Sequence, residues 1–292
     1  MRIIGFGPYI GEFEQEVITF RPYIRWITEA LDSDLVFVNT HFNRSFLYEW
    51  VPSENIFPVY EHLSRDELGQ FGYTHDQFKQ RDHALLAKIF KEKIANICKC
   101  SKRDVEIYNI NYAKNKPIYS IYHKVFTLIQ VPDINIKEEY LNRVVYIPAP
   151  GYFLEEVYKY VSTKYDAIVV GDLRLTSYCS DNNIMLKYAD YFENGFKYIM
   201  KILDSAKAII CPTSYWTFIA NLQGYPVFSF GDAPGIYKEN GIYHFNNNNS
   251  VVIPVDEESD IDSIFSMIDY FMEKYGKPNR KRSTPGADKK MV

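Results

Sequence analysis

Apolar residues fall along this chain in two alternating rhythms. Short runs of β-branched and aromatic residues end in glycine-containing or polar loops, and longer stretches with apolar residues three and four apart follow them. Arg2–Phe6 is the first short run, and Gly5, Gly7 and Gly11 punctuate its end and the loop after it. Phe13–Leu31 then reads as a helix through Val17, Phe20, Ile24, Ile27 and Leu31. Pro22 interrupts it, marking either a kink or the true first turn, with Glu16 left in the loop before it. Leu35–Val38 is the next strand, so the chain opens strand, loop, helix, strand, the start of a parallel sheet.

The alternation continues less clearly through Phe42–Trp50 and Ile56–Tyr60. Asp66–Cys98 reads as mostly helical, with one apolar stripe of Leu85, Leu86, Ile89, Phe90, Ile94 and Ile97. Val105–Tyr112 is expected as a strand, Ile118–Val131 as a helix and the polar Asp133–Asn142 as a hinge.

Arg143–Ile147 opens a second block, a strand running into Pro148-Ala149-Pro150-Gly151. A helix through Tyr152–Lys164 and a strand Asp166–Val170 ending at Gly171-Asp172 follow, and 173–190 is polar and poorly patterned. Phe192–Ser205 and Thr217–Gln223 read as helices; Ala208–Cys211, Val227–Phe230 and Val251–Pro254 read as strands; Ile261–Tyr275 reads as a long amphipathic helix. The result is two α/β blocks, roughly 1–135 and 142–275, assigned as domains 1–140 and 141–275 with a loose tail 276–292. Two such blocks facing each other enclose a cleft at the carboxyl ends of their strands.

Composition narrows the function classes. The 292 residues are 47% apolar and include 25 Tyr and 20 Phe, enough for full cores. With 33 Lys+Arg against 37 Asp+Glu the formal charge is −4, which argues against a whole face for non-specific nucleic-acid binding. The four cysteines include Cys98 and Cys100, closer together than a zinc knuckle, so reduced thiols, no structural metal and a cytoplasmic setting are expected. No apolar run is long enough to span a membrane, and the N-terminus is too soon broken by glycine for a signal peptide.

Candidate chemistry concentrates in Ala208–Asp232. An apolar run ends in Pro212-Thr213-Ser214, a short helix follows, and Gly224-Tyr225-Pro226 leads into a second apolar run closed by Gly231-Asp232. Hydroxyls and backbone N–H groups at a helix start suit a phosphorylated ligand.

These residues carry a resemblance. Thr213-Ser214-Tyr215-Trp216-Thr217-Phe218-Ile219-Ala220, followed by Gly224-Tyr225-Pro226-Val227, resembles the donor-binding segment of GT-B glycosyltransferases, most nearly the heptosyltransferase-like family 9. Ser214, Ala220, Gly224, Pro226 and Val227 match that family's Asp-Ser/Thr-Gly-x-x-His-x-Ala and Gly-x-Pro-Val pattern. Thr213 stands where the family has Asp, Tyr215 replaces Gly and Phe218 replaces His. Gln15–Pro22 aligns with the family's opening and puts Glu16 at the position of its acidic base. The abundant Asn and Tyr and the compact length suggest a phage or viral member.

The resemblance implies a GT-B-like fold of two Rossmann-like parallel-sheet domains facing a cleft. It also implies a glycosyltransferase using a nucleotide-sugar donor (UDP- or another NDP-sugar) with no tightly bound metal. Glu16 is then the expected base, with Glu12 or Glu14 as substitutes, and Arg174 the expected cation, with Lys187 and Lys238 behind it. The donor's phosphates would lie on Thr213, Ser214 and the helix start. Its nucleobase would lie on Tyr215, Trp216 or the turn ending at Gly151, and Gly171, Asp172 and Asp232 would border the cleft mouth. The bland readings stand beside these: Glu16 as a helix cap, Trp216 as core, Arg174 as surface charge, Asp172 and Asp232 as turn formers.

The acceptor is a glycan or hydroxymethylated phage DNA. DNA would call for a basic cleft near Arg21, Arg25, Arg44 and Lys79, beside Tyr23 and Trp26. The competing readings are a nucleotide-sugar epimerase or hydrolase and a non-catalytic nucleotide-binding module. A dehydrogenase is weaker, because Gly5–Gly11 misses Gly-x-Gly-x-x-Gly by one residue. Oligomeric state is open.

Overall fold

A computed structural model describes residues 2–9, 13–59, 80–108, 128–131, 133–171, 183–185, 195–231 and 249–276. Those up to Gln130 form one compact unit and those from Val131 a second. This division falls earlier than the expected hinge. Asp133 pairs with Lys201 at 3.2 Å, and the Arg143 guanidinium donates to the Asp166 carbonyl at 2.7 Å, which ties the hinge residues to the second unit.

In the first unit β1 (Ile3–Phe6), β2 (Leu35–Thr40), β3 (Ile56–Pro58) and β4 (Val105–Tyr108) form a parallel sheet in the order β3-β2-β1-β4. Ile3 of β1 lies opposite Leu35 on one side and Val105 on the other. The remainder of the expected 105–112 strand lies outside the described residues, as does most of the expected 118–131 helix; Leu128–Val131 is not helical.

The expected helix 13–31 is broken. It runs as α1 (Phe13–Gln15), a π turn (Glu16–Phe20) and α2 (Arg21–Leu31). Pro22 cannot donate into an α-ladder, and the ladder changes to a π turn just before it. Glu16 is thereby within the helical segment and turned inward, fully buried.

Helix α3 (Gln80–Cys98) corrects the single stripe. Leu86, Phe90 and Ile94 are buried, whereas Leu85, Ile89 and Ile97 are 56%, 49% and 50% exposed. The buried line packs so closely on β1 that a Cβ at Gly5 would stand 2.7 Å from Ile94 Cδ1 and 2.9 Å from Phe90 Cε1. Gly7 answers to a different constraint: its φ is +123°, and a Cβ there would stand 2.5 Å from the Asn39 carbonyl oxygen.

The second unit holds β5 (Val144–Tyr146), α4 (Leu154–Tyr165), β6 (Ile168–Gly171), β7 (Asn183–Met185), α5 (Gly195–Ser205), β8 (Ala208–Pro212), α6 (Tyr215–Leu222), β9 (Val227–Phe230), β10 (Ser250–Ile253) and α7 (Ile261–Tyr275). Its parallel sheet has the order β10-β9-β8-β5-β6-β7, and β7 comes from the segment that shows no pattern in sequence. β8 and β9 are buried along their whole length, as central parallel strands covered on both faces should be. Tyr146, Val157, Val161, Ile210, Phe228, Ile264, Ile268 and Phe271 fill the core between strands and helices. Asp260 caps α7, its carboxylate accepting from the Asp262 and Ser263 amides. The chain is therefore two Rossmann-like parallel α/β units in succession.

Candidate functional site

Strand order locates the site in the second unit. From β5 the chain moves outward to β6 and β7, then returns so that β8 pairs with the other side of β5 and β9 and β10 continue away from it. The order reverses between β5 and β8, the kind of point outside the carboxyl ends of the strands where open parallel sheets take ligands. The loop after β5 contains Gly151, and a Cβ built there would stand 3.5 Å from Pro212 Cβ. Gly151 and the 212–216 turn, read as separate candidates in sequence, thus meet at one place. Gly171 ends β6, the next strand on that edge, and is buried.

The turn after β8 is held from below. Helix α6 starts at Tyr215, two residues before the expected start, with Ser214 as its N-cap. Thr217 sits inside the first turn, where its Oγ1 accepts from the Ser214 amide at 3.1 Å. Thr217 Oγ1 and Thr213 Oγ1 each lie 3.0 Å from Ser229 Oγ on β9. Cys211 Sγ lies 3.5 Å from Thr217 Oγ1, and burial pushes its thiol up to about 11. The Thr213 amide donates to the Phe230 carbonyl at 2.8 Å. Thr213 and Thr217 are buried, whereas Ser214 and Tyr215 are half-buried. Trp216 is only 5% exposed, so its ring is a core element.

Glu16 belongs to the first unit and has a different setting. Thr40 and Tyr48 both donate to its Oε1, Tyr48 at 2.5 Å, and Arg44 donates to Oε2 at 2.9 Å. Glu16 and Arg44 are 0% and 1% exposed. Burial raises the Glu16 carboxyl above its ordinary range, against the pull of Arg44, Thr40 and Tyr48. Burial and the Glu16 charge push Tyr48 well above the ordinary phenol range. Burial, with the Arg44 charge beside it, holds His41 well below the ordinary imidazole range, so His41 is neutral. A general base must reach the proton it removes. In this state Glu16 has both oxygens engaged and no exposed surface, unlike the open base expected from sequence.

Arg21 is buried too. It donates to the Leu47 carbonyl at 2.7 Å, to Glu49 at 3.0 Å and to the Leu128 carbonyl at 3.2 Å. The expected basic cleft is corrected accordingly: Arg21 and Arg44 are interior cations, and Arg25 pairs with Glu29 at 3.0 Å. Glu12, Lys79, Asp172, Arg174, Lys187, Asp232 and Lys238 lie outside the described residues.

Sequence reading missed Ser229 and Thr217 as one assembly. The available signals were a serine inside the otherwise apolar Val227–Phe230 strand and a threonine three residues after Ser214, at capping-box spacing. It also missed the Thr40, Arg44 and Tyr48 partners of Glu16, which nothing in the local pattern announces. Among the described residues no three His, Cys, Asp or Glu side chains gather to hold a metal, and no helix is long and apolar enough to cross a membrane.

No protein-family model matches the chain, and no curated protein sequence matches it. Among solved structures it is similar to the ADP-heptose lipopolysaccharide heptosyltransferase II of E. coli, at 10% identity and a TM-score of 0.49 over 94% of this chain and 99% of that one. It is also similar to a family 9 glycosyl transferase of Veillonella parvula, at 12% and 0.46 over 97% and 92%. A UDP-GlcNAc 2-epimerase of Neisseria meningitidis, bound to UDP-GlcNAc, matches at 14% and 0.32 over 95% and 80%. Likeness at this level assigns no chemistry to this chain, whose site is defined by its own strand order and hydroxyl chain.

Proposed function

We propose that this chain is a nucleotide-sugar-dependent enzyme of the GT-B kind and, within that class, a glycosyltransferase. The observation that carries this reading is the convergence of the Gly151 loop and the α6 start where the strand order of the second sheet reverses. An open parallel sheet takes ligands at that point, and a helix N-terminus favours a diphosphate. The donor, a UDP- or other NDP-sugar, lays its diphosphate against Thr213–Tyr215 and its base on Tyr215. Arg174 supplies a cation to the leaving group, and Asp172 and Asp232 border the sugar.

The acceptor's proton goes to Glu12 or Glu14, and Glu16 acts as the organiser that holds this part of the first unit in place. A glycan acceptor is favoured over hydroxymethylated DNA, because two of the four cations expected to line a DNA cleft are buried in ion pairs.

The test is to incubate the protein with a panel of nucleotide sugars, alone and with oligosaccharides or hydroxymethylated duplex DNA. Released nucleotide and modified acceptor are then followed by mass spectrometry. Acceptor-dependent release supports transfer. Isomerised donor without acceptor means epimerisation, and water-dependent release means hydrolysis. Binding without turnover means a non-catalytic module, and no interaction with any donor removes the reading. For an active transferase, Glu12→Gln or Glu14→Gln should lower turnover by about 10²–10⁴-fold with donor binding kept. Near-normal turnover in both variants contradicts the base assignment.

A further inference from the structure

We infer that Ser229, acting with Thr217, is the positioning residue of the donor site: it is the middle link of a hydrogen-bond chain that fixes the α6 N-terminus to β9. The inference rests on the donor reading above.

The chain runs between two backbone groups. The Ser214 amide can only donate, and it donates to Thr217 Oγ1. At the far end the Gly231 carbonyl can only accept, and Thr213 Oγ1 stands 3.5 Å from it, a long contact that closes the chain loosely. Between them lie three hydroxyls, Thr217, Ser229 and Thr213, linked by two contacts of 3.0 Å. Each hydroxyl has one proton. The arrangement that uses every donor runs Ser214 N–H to Thr217, Thr217 O–H to Ser229, Ser229 O–H to Thr213 and Thr213 O–H to Gly231. In the opposite sense Thr217 O–H turns to Cys211 Sγ and only the long Gly231 contact goes without a proton; in both senses Ser229 is the link between Thr217 and Thr213. The Cys211 thiol beside Thr217 is a weak side donor, held protonated by burial.

All three hydroxyl residues are buried, so water does not substitute for a lost link. Loss of the Thr217 hydroxyl frees the Ser214 amide directly, and loss of the Ser229 hydroxyl unties Thr217 and Thr213 from β9, loosening the amide's acceptor. The first-turn N–H groups of α6 then lose their fixed direction, on which anion binding depends. Ser229 sits on β9 and acts on the ligand through the turn.

Two variants remove a hydroxyl with little change of shape, Ser229→Ala and Thr217→Val; Thr217→Ser restores it. Nucleoside-diphosphate binding to the full chain is measured by calorimetry with UDP, ADP and GDP. Amide exchange over 213–217 is followed in the absence of ligand. The expected result is about tenfold weaker binding in Ser229→Ala and Thr217→Val, near-wild-type binding in Thr217→Ser, and faster exchange at the 214 amide in the first two variants. If wild-type protein binds and the two hydroxyl-deleted variants bind equally well, or if exchange at 214 is unchanged, the inference is wrong while the donor reading stands. If wild-type protein binds none of the nucleotides, the donor reading fails and takes this inference with it.

Discussion

The two units set polar groups near the carboxyl edges of similar parallel sheets by opposite means. The first buries full charges: Glu16 against Arg44, with Thr40 and Tyr48 filling the carboxylate's remaining capacity, and Arg21 against Glu49 and two backbone carbonyls. The second, beneath the turn after β8, buries neutral hydroxyls and a thiol. An ion pair in a dry interior carries a large desolvation penalty and becomes costly when one partner is removed. A neutral chain costs little to bury, and losing one link orphans at most one or two groups. The first device gives a rigid element that tolerates no partial loss. The second fixes a turn without placing a net charge beneath the site proposed for a diphosphate.

The contrast breaks most visibly at Arg44. Arg44→Ala should destabilise the first unit by about 3–5 kcal/mol, because Glu16 is left buried without its cation. Urea unfolding read by tryptophan fluorescence checks it, and Arg44→Met combined with Glu16→Met should recover much of the loss. A cost below about 1 kcal/mol would mean that the pair is solvated in solution.

The hydroxyl chain predicts a smaller number. Thr217→Val should cost about 1–2 kcal/mol by the same measurement, with Thr217→Ser close to wild type. A loss as large as that of Arg44→Ala would erase the distinction between the two devices.

Acidity sharpens the comparison next. His41 is held neutral in the fold, so as pH falls through about 6.5 the unfolded chain takes a proton that the folded chain does not. Its contribution is full above that value and lost below it, at up to about 1.4 kcal/mol per pH unit. Glu16 has the opposite sign: raised in the fold, its contribution is present at low pH and lost as pH rises through its folded value, which offsets part of the His41 loss in acid. The stability gap between wild type and His41→Asn should therefore narrow from pH 7.5 to 5.5. Parallel curves would show that His41 is charged in the fold. The second unit's chain has no group that titrates in this window, since Cys211 sits at about 11.

The smallest effect belongs to the solvent-facing cluster on the second unit. There Asp269 accepts from Tyr160 at 2.7 Å and Tyr165 at 2.6 Å and pairs with Lys164 at 2.5 Å. Lys164→Met should leave the urea midpoint close to that of wild type, because water screens a pair this open.

How much of this was legible in the chain follows from where the determining contacts lie. β9 and α7 appear in the structure with the bounds their periodicity predicts, because a short apolar run between turn residues and a long three-four repeat are local signals. The Gly151 and Thr213–Ser214 candidates were legible one by one, as loops after strands. Their meeting depends on strand order, which no local pattern carries. Three residues, Asn183–Met185, form a strand only because β6 offers an edge to pair with. Arg21 and Arg44 read as cations of a DNA cleft because their partners come from distant positions, Glu49 for one and Glu16 for the other. The same holds for Glu16: its alignment in a motif suggested a catalytic base, and its burial is set by Thr40 at the end of the next strand and by Arg44 and Tyr48 after it.

The central claim is that the point between β5 and β8 where the strand order reverses holds a nucleoside diphosphate. Amide exchange of the full chain with and without saturating UDP, ADP or GDP tests it most directly. The account predicts protection confined to the Gly151 loop and to 213–217. Binding that protects only other segments, or no binding by any of the three, contradicts it.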